Sequence, residues 1–587
     1  MTDGKTACLV QTSNGWLSFH HPVHIVQAHT PGDVRRVIDD TEAIARARGL
    51  YAVGFVCYEA AEAFALPVRP SSGDLPLAWF AFFEPERVGR LAGLDEACPP
   101  AAYTVGSRTP SLDRESFSRA FSSIREHIGA GNTYQVNFTW RLRAPFGGDA
   151  RRFFADLQAA QQGRYGAFID TGRVAICSAS PELFVRRDPL PPSASDGAAR
   201  YALLAKPMKG TARRGRFARE DLQVAERLRA SVKERAENVM IVDMVRNDLG
   251  RVAEIGSVDV PALFALERYP NVWQMTSTVR ATSGASLGEI MAAAFPSASV
   301  TGAPKHRTMA IIEELEGEPR GMYTGAIGFI APDGAAQFNV AIRTAVVDRE
   351  AGALEFGVGS AVLWDSDPDR EYDECLLKGS ILAGPPEPFS LLETLRWTPA
   401  DGFFLLQRHL DRLMESAGYF GFPCSREAVC AALEREIDGA DRPLRVRLLV
   451  ASDGAVCVEH VALEPDERVV RVGLARTPVD PSDPFLFHKT TNRRTYDVAR
   501  LPGLDDTLLW TPDGDLTEST IANLVVEVDG RRVTPPVACG LLPGTFRAEL
   551  LAAGEIVEGR VRVEDLRRAS QVWLVNSVQG WRRAVLD

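Results

Sequence analysis

The feature that most restricts the fold of this chain is a proline-rich stretch, AGPPEPFS, at residues 383–390. Proline lacks an amide proton and has a fixed φ, so neither a helix nor a central strand can continue through such a stretch. The chain of 587 residues is also too long for a single hydrophobic core. We therefore predict two separate domains, residues 1–383 and 389–587, joined by a linker at residues 384–388.

Composition excludes several classes of protein. An apolar fraction of 45% and a charged fraction of 24% are typical of a globular chain, and the net charge of −11 argues against a nucleic-acid surface. The nine cysteines include no CxxC pair, and there is neither a leader-like N-terminus nor a long apolar run. We expect a cytoplasmic protein that binds neither membrane nor nucleic acid.

Several segments have clear periodicity. Residues 51–61 and 75–85 are apolar runs bounded by turns and are predicted as buried strands, whereas residues 111–131 have the apolar spacing of an amphipathic helix. Residues 187–200, rich in Pro, Ser, Gly and Ala, are predicted to form an exposed loop.

The stretch Ala205–Gly250 contains the first candidate chemistry. Lys209 lies on a tight loop, KPMKGT, and residues 219–245 have the composition of a helix. Its apolar face is predicted to contain the residues Leu222, Leu228, Val232 and Val239. Glu237 lies just before an apolar run, and a buried carboxylate requires a cation or hydrogen-bond donors. These residues alone do not distinguish an active lysine from a solvated one, or a buried acid from a surface partner of Lys233.

A second acidic pair, Glu371 and Glu374, lies three residues apart in REYDECLLKGS. On a helix both carboxylates share one face, and such proximity is unfavourable without a cation, a role that suits Mg²⁺. An exposed acidic surface is the alternative for this segment.

Seven ordered blocks between about residues 124 and 380 resemble the chorismate-utilising enzymes. They are GNTYQVNFT, SASPELF, KPMKGT, KERAENVMIVDMVRNDLGRV, FPSASVTGAPKHRTMAIIEELE, RGMYTGAIGF and GVGSAVLWDSDPDREYDECLLK. The resemblance implies a large α+β domain built on antiparallel sheets. It also implies that Glu237, Glu371 and Glu374 bind Mg²⁺.

The same resemblance implies a set of substrate-binding residues: Thr301, Tyr323, Arg343, Gly357, Gly359 and Lys378. Thr301 lies in TGAPK at the start of a predicted helix, where free amide groups suit an anion, although the turn could also simply cap the helix. The guanidinium of Arg343 and the bare backbone of Gly357 and Gly359 could bind the carboxylates of a substrate.

Two positions bear on the reaction. Anthranilate synthases of this family typically have alanine in the loop where this chain has Lys209, whereas aminodeoxychorismate synthases commonly have lysine. The resemblance implies that Lys209 attacks C2 of chorismate. Many relatives have histidine where this chain has Gln274, and because glutamine cannot transfer protons, this difference weakens the anthranilate interpretation.

Residues 389–583 resemble the fold-type IV pyridoxal-phosphate enzymes, which implies a smaller α+β domain. The motifs are LLETLRW, RHLDRL, FHKTTNRRTYD, LTESTIANLVV, LLPGTFR and VNSVQGW. The resemblance implies pyridoxal 5′-phosphate as cofactor, held through the residues Lys489, Glu518, Arg412, Thr545 and Ser577. Thr394 could assist proton transfer or be an ordinary strand residue.

Together the two resemblances imply synthesis of 4-aminobenzoate for folate in two steps. Chorismate would be aminated to 4-amino-4-deoxychorismate, as by aminodeoxychorismate synthase component I, and a lyase step would then eliminate pyruvate. Since no glutaminase motif is found in the sequence, we expect ammonia or a separate glutamine amidotransferase subunit to supply nitrogen, and a homodimer through the C-terminal domain. The alternatives are an anthranilate synthase component fused to an aminotransferase, and an inactive binding partner.

Overall fold

The computed structural model describes residues 7–192, 199–385, 387–464, 466 and 468–587. The chain divides into two compact units, one formed by Met1–Arg213 and Ala225–Pro386, the other by Arg214–Val224 and Glu387–Asp587. Each unit has its own core and its own sheets.

The first unit is built mainly of strands. They are β1 Ala7–Thr12, β2 Gly15–His20, β3 His24–Ala28, β4 Tyr51–Val56, β5 Ala78–Phe83, β6 Val88–Leu91, β7 Tyr103–Val105, β8 Thr109–Pro110, β9 Gln135–Gly148, β10 Ala167–Asp170, β11 Val174–Ser178, β12 Leu183–Leu190, β13 Arg200–Lys206, β14 Met208–Arg213, β15 Asp259–Arg268, β16 Val272–Ser283, β17 Gly302–Ala303, β18 Ala326–Ile330, β19 Ala336–Val340, β20 Thr344–Asp348 and β21 Ala353–Val362. The helices of this part of the chain are α1 Pro31–Arg48, α2 Arg114–Gly129, α3 Ala150–Gln161, α4 Ala218–Ala230, α5 Val232–Gly250, α6 Leu287–Ala294, α7 Lys305–Leu315 and α8 Pro368–Gly379.

These strands form two sheets whose inner faces pack on each other. One sheet has the order β17-β9-β21-β20-β11-β10-β1-β2-β6, with β7 and β8 on β9; the other has the order β14-β16-β13-β12-β19-β18-β4-β5-β3, with β15 on β16. Along β1, Cys8 and Val10 belong to the core between the sheets and Leu9 to the core on the outer face, as strand alternation requires. The predicted antiparallel α+β architecture is confirmed.

Local predictions in this unit have mixed outcomes. Both predicted strands form, as β4 and β5, but β4 ends at Val56 and Tyr58–Phe64 is a 3-10 helix instead. Helix α2 buries Phe117, Phe121 and Ile124 as its periodicity indicates. The predicted helix of residues 219–245 is instead two helices, because Ser231 caps α5 by accepting from the Glu234 amide.

The predicted apolar face of that helix is wrong. Leu222, Val232 and Val239 are exposed at 64%, 82% and 38%, and among the four predicted residues only Leu228 is buried. After the break at Ser231, α5 buries a different stripe that includes Glu237, Ile241 and Val245 at i, i+4 and i+8 spacing.

The predicted exposed loop of residues 187–200 is shorter than expected. Strand β12 continues to Leu190, and Arg187 is only 1% exposed because its guanidinium donates to buried Glu42 at 2.7 Å. Residues 193–198 of the predicted loop, like residue 386 of the predicted linker, lie outside the described residues.

The second unit combines a small sheet with a larger mixed one. Its strands are β22 Leu391–Thr398, β23 Gly402–Phe403, β24 Leu444–Val450, β25 Val456–Ala462, β26 Val470–Leu474, β27 Asp506–Trp510, β28 Leu516–Ser519, β29 Asn523–Val528, β30 Arg531–Thr534, β31 Val557–Glu558, β32 Gln571–Asn576 and β33 Gly580–Leu586. Its helices are α9 Leu406–Phe420, α10 Arg426–Glu436, α11 Arg494–Ala499 and α12 Thr545–Ala552.

Strands β23-β22-β24-β25 form the small sheet, and β28-β27-β26-β33-β32-β29-β30-β31 form the large one. Strand β26 runs parallel to both β27 and β33, whereas β32 pairs with β29 and β33 in the antiparallel sense. None of the helices in the described residues combines the length and the apolar character that crossing a bilayer requires.

Candidate active sites

The first site is a cavity of about 220 Å³ in the first unit, and Lys209 lies on its wall. Strand β14 pairs with β16, but the register shifts between Met208 and Thr211, and Gly210 has a φ of +103°. This bulge interrupts the pairing at Lys209. The side chain of Asn238 holds the interrupted backbone by donating to the Lys209 carbonyl at 3.1 Å.

Lys209 is enclosed beside an acid. Its Nζ lies 3.8 Å from Oε2 of Glu237 on α5, and the two side chains are 11% and 10% exposed. Burial lowers the pKa of Lys209, and the nearby Lys378 lowers it further, against the opposing effect of Glu237. Burial also raises the pKa of Glu237, so both groups are shifted toward their neutral forms. A neutral amine is the nucleophilic form of lysine.

Helix α8 contributes three charged groups to one wall of this cavity. Glu371, Glu374 and Lys378 all line it, as their spacing on one helical face predicts. Lys378 Nζ lies 2.6 Å from Glu374 and donates to the Gly359 carbonyl at 2.8 Å. Lys378 is the main reason that the pKa of Glu374 is lowered, while burial and the charge of Glu374 raise the pKa of Glu371.

The three carboxylates predicted to bind magnesium therefore line the same cavity. In the described part of the chain, no group of three His, Cys, Asp or Glu side chains is already arranged as a metal site. The side-chain nitrogens of Lys209 and Lys378 instead lie beside Glu237 and Glu374, respectively. The oxygen donors and the raised pKa values of Glu237 and Glu371 suit a hard divalent cation, which favours the ionised carboxylates.

Most predicted substrate-binding residues line this cavity too: Tyr323, Arg343, Gly357, Gly359 and Lys378. Gly357 is required here, since a Cβ at that position would lie 2.1 Å from Cγ of the Tyr323 ring. Arg343 adopts a φ of +53° and donates to the Lys378 carbonyl at 3.1 Å.

The prediction for Thr301 is not supported by its position. Thr301 is fully buried and is not part of the cavity wall. Its hydroxyl donates to the Ser297 carbonyl at 3.2 Å, within the turn that precedes α7. The preceding residues Ser299 and Val300 line the cavity instead.

Glu182 is the main residue of the cavity that the sequence interpretation missed. It follows β11 in the SASPELF block, is 2% exposed, and accepts a hydrogen bond from the Ser299 hydroxyl. Burial raises its pKa to about 8, so Glu182 is mainly protonated at neutral pH. Its position in SASPELF, one of the blocks that carry the family resemblance, could have indicated this acid from the sequence.

Gln274 also lies on the cavity wall. Its side-chain oxygen accepts a hydrogen bond from the Thr211 hydroxyl at 2.8 Å. An amide in this place can orient a ligand but cannot transfer a proton.

The second site is a cavity of about 330 Å³ in the second unit. It brings together all six residues predicted for the cofactor and its chemistry: Thr394, Arg412, Lys489, Glu518, Thr545 and Ser577. Arg412 lies on helix α9, and the other five residues come from five separate stretches of the chain. Only the tertiary fold therefore brings the six residues together.

Glu518 is a fixed, buried acid in this cavity. Its Oε1 accepts from the Tyr496 hydroxyl at 2.9 Å and the Leu542 amide at 3.0 Å, and its Oε2 accepts from Asn523 Nδ2 at 3.1 Å. Burial raises its pKa to about 8. The side chain can therefore hold a shared proton against a ring nitrogen.

Lys489 is held by the small sheet. Its carbonyl accepts from the Leu392 amide at 2.9 Å, and the next residue, Thr490, bridges to Leu391. Burial and the charge of Arg412 lower the pKa of Lys489 to about 8. This amine therefore carries a substantial neutral fraction near pH 8.

The residues fit the cofactor that the fold implies. The guanidinium of Arg412 donates to the Glu393 carboxylate at 2.8 and 2.6 Å and to the Pro543 carbonyl at 3.2 Å. The Arg412 side chain also lines the cavity. Thr545 and Ser577 add hydroxyl donors suited to a phosphate group. Pyridoxal 5′-phosphate would thus meet Lys489 at its aldehyde and Glu518 at its ring nitrogen.

Three further residues of this cavity were missed: Arg445, Arg493 and Tyr496. Arg493 is fixed by its contact with the Thr520 carbonyl and by stacking over Tyr496, with 4.6 Å between guanidinium carbon and ring centroid. The basic pair in NRRTYD was the available signal for Arg493.

Comparisons with known proteins agree with this division. Residues 5–384 match the chorismate binding enzyme family model, and residues 390–585 match the model for amino-transferase class IV. The aminodeoxychorismate synthase of Streptomyces griseus is 40% identical over 291 residues, which cover 49% of this chain and 38% of that protein. The anthranilate synthase component 1 1 of Haloarcula marismortui is 40% identical over 286 residues, covering 48% and 56%.

The first unit also has a solved structural relative. Anthranilate synthase component I from Streptococcus pneumoniae superposes with a TM-score of 0.51 at 23% identity, over 65% of this chain and 93% of that one. This identity is low, so the likeness shows the fold alone.

Each sequence relative named above is matched over less than two thirds of its own length. The chorismate binding enzyme match, by contrast, spans well over half of this chain and contains every residue of the first cavity. The chain therefore belongs to the chorismate binding enzyme family and carries a class IV amino-transferase domain after it.

Proposed function

We propose that this chain makes 4-aminobenzoate from chorismate in two steps, the first in the N-terminal cavity and the second in the C-terminal one. The observation that carries the proposal is Lys209, an enclosed lysine with a lowered pKa beside an acidic wall. In this family lysine at the position is typical of the enzymes that aminate chorismate at C4.

The charges of the first cavity support a dianionic substrate and a metal. Its wall holds five carboxyl groups and four basic side chains, namely Glu182, Glu234, Glu237, Glu371, Glu374, Lys209, Lys233, Arg343 and Lys378. A substrate with two carboxylates adds negative charge, which needs compensation. Glu237, Glu371 and Glu374 would hold Mg²⁺, which would stabilise negative charge on the substrate.

In the proposed amination, neutral Lys209 forms a bond from Nζ to C2 of chorismate. Both ring double bonds then shift, from C1=C2 to C1=C6 and from C5=C6 to C4=C5, and the C4–O bond breaks. Glu182, protonated near neutral pH, gives its proton to the departing hydroxyl so that water leaves. Ammonia then adds at C4, both double bonds return to their original positions, and the C2–Nζ bond breaks to release Lys209. The product is 4-amino-4-deoxychorismate.

In the proposed elimination, pyridoxal 5′-phosphate would supply an electron sink for the substrate. Glu518 would hold the proton at the ring nitrogen, and Arg412, Thr545 and Ser577, which line the cavity, would hold the phosphate group. Lys489, whose pKa is lowered to about 8, would take the proton from C4 of the substrate. The ring becomes aromatic as pyruvate leaves, and 4-aminobenzoate remains.

The supply of nitrogen is part of the proposal. Ammonia, free or delivered by a separate glutamine amidotransferase subunit, would reach the first cavity. We also propose that the second unit forms a homodimer, as fold-type IV relatives commonly do.

The test is product analysis from chorismate, ammonium and Mg²⁺, with and without pyridoxal 5′-phosphate. We expect 4-amino-4-deoxychorismate alone without the cofactor, and 4-aminobenzoate plus pyruvate with it. Lys489→Ala should stop at the first product, whereas Lys209→Ala should form neither product from chorismate but still convert supplied 4-amino-4-deoxychorismate. Formation of ortho-aminobenzoate would contradict the proposal and support the anthranilate alternative, which Lys209 and Gln274 disfavour.

A further inference from the structure

A chain of hydrogen bonds joins three elements at the edge of the second cavity. His409 on α9 is 1% exposed, and its Nδ1 lies 2.7 Å from Oε2 of Glu393 on β22. The other ring nitrogen, Nε2, lies 3.2 Å from the hydroxyl of Thr545 at the start of α12. Thr545 faces the cavity, so the chain runs from a buried carboxylate to the cofactor space.

The direction of each hydrogen bond follows from the chemistry of the groups. Glu393 is buried, but Arg412 and His409 outweigh the effect of burial and lower its pKa to about 2, so it is ionised and can only accept. His409 Nδ1 must therefore carry a proton. Burial also lowers the pKa of His409, which leaves Nε2 without a proton near neutral pH. The Thr545 hydroxyl then donates to Nε2.

This hydrogen-bond pattern conflicts with the proposed role of Thr545 in binding the cofactor phosphate. The oxygens of a phosphate dianion only accept hydrogen bonds, so the Thr545 hydroxyl must turn its proton toward the phosphate. His409 Nε2 is then left facing an oxygen with no proton between them. A buried acceptor without a donor is unfavourable.

We propose that binding of the cofactor phosphate at Thr545 draws one proton onto Nε2 of His409, which then donates to Thr545 while Thr545 donates to the phosphate. His409 is thus a positioning residue that acts through Thr545, and Glu393 holds the resulting imidazolium. The inference rests on the proposed cofactor site.

The charged groups around His409 come from three stretches of chain. Glu393 on β22 and the incoming phosphate favour the protonated ring, whereas Arg412 on α9 and Lys489 oppose it. Because the bound state holds one more proton, affinity falls as pH rises through the pKa of His409 in the complex. The dissociation constant should rise up to about tenfold per pH unit in that window.

The experiment uses 4′-deoxypyridoxine 5′-phosphate, which lacks the aldehyde and cannot react with Lys489. Its binding to the full chain is followed by calorimetry in buffers of different ionisation enthalpy, which counts the protons taken up. We expect His409→Gln to take up about one proton fewer than the wild type and to show a flatter pH dependence of affinity. Proton changes on the ligand itself cancel in this comparison.

The control is His460→Gln, since His460 also pairs with a glutamate, Glu436 at 3.0 Å, but does not line the cavity. It should keep the wild-type proton uptake. Thr545→Val retains His409 but removes the hydroxyl and should lose the extra proton, whereas Thr545→Ser should keep it. The comparison of Thr545→Val with Thr545→Ser tests the proposed proton uptake even if His409→Gln folds poorly.

Equal proton uptake by the wild type, His409→Gln and Thr545→Val would overturn the relay while leaving the proposed cofactor site intact. If the phosphate ligand binds none of these proteins, the proposed cofactor site is wrong and the relay fails with it.

Discussion

Glu182→Gln should change stability in a way that depends strongly on pH. The carboxyl of Glu182 is 2% exposed, and burial raises its pKa from 4.5 to about 8. The Ser299 hydroxyl, the Met208 amide and the charge of Lys209 favour the ionised carboxylate, but together they compensate only part of the effect of burial. A shift of this size corresponds to about 5 kcal/mol between the protonated and ionised forms.

The sign follows from where the proton is held. Between pH 4.5 and about 8 the folded protein keeps the Glu182 proton while the unfolded chain releases it. The free energy of unfolding therefore falls as pH rises through this window, and the loss is complete above the folded pKa. Glutamine cannot ionise, so the variant lacks this loss. The stability of Glu182→Gln relative to the wild type should increase by about 4 kcal/mol between about pH 5 and pH 9, because part of the total loss has already occurred at pH 5.

The assay is urea unfolding of both proteins at about pH 5, 7 and 9, followed by tryptophan fluorescence. Glu267→Gln is the matched control, because Lys206 at 2.6 Å overcomes the effect of burial and lowers the pKa of Glu267. A carboxyl whose pKa is lowered on folding stabilises the folded protein above its unfolded pKa, and this contribution is lost as pH falls. The stability difference between Glu267→Gln and the wild type should therefore change with pH in the opposite direction. A pH-independent difference between Glu182→Gln and the wild type would refute the reasoning.

Three further predictions follow from the two cavities. Gly357→Ala should displace the Tyr323 ring, whose Cγ would lie 2.1 Å from the new Cβ, and raise the KM for chorismate by at least about tenfold without affecting conversion of supplied 4-amino-4-deoxychorismate. Glu374→Gln should increase the Mg²⁺ concentration needed for half-maximal amination by about 10- to 100-fold, measured by metal titration after chelation; an unchanged requirement would exclude Glu374 as a ligand. Glu518→Gln should lower the elimination rate by at least about 100-fold while amination in the first cavity stays at the wild-type rate, so a parallel loss of both activities would count against its role.

Amination in Glu182→Gln gives an independent check of the acid role. The amide keeps the shape of the side chain but cannot give a proton, so kcat should fall by about 100- to 10,000-fold with little change in KM. Glu267→Gln should retain most of its amination activity, because Glu267 does not line the cavity.

Much of the architecture could be predicted from the sequence because it depends on local rules. The proline-rich stretch falls where the two compact units separate, and α2 forms where periodicity indicates a helix. Glu371, Glu374 and Lys378 share one face of α8 because their spacing determines it. The six residues that the resemblance implies for the second cavity also line it, although the tertiary fold and not local pattern brings them together.

Other features depended on contacts that local patterns do not contain. A single residue, Ser231, divides a region that has helical composition throughout and so changes which side of α5 is buried. Thr301 directly follows the cavity residues Ser299 and Val300 in the sequence, but its hydroxyl donates to the Ser297 carbonyl and does not line the cavity. Periodicity gives the faces of an element, but neighbouring elements determine which face is covered.

The sequence by itself predicted the two-part organisation, because the proline-rich stretch acts over a short distance. The resemblance of its motifs to known families implied the antiparallel α+β class and most of the site residues. Only the tertiary structure decided which of these groups are neutral and which are charged. Glu182 meets Ser299 across 117 positions, and His409 meets Thr545 across 136. Protonation depends on burial and on such distant partners, and both exist only after the chain has folded.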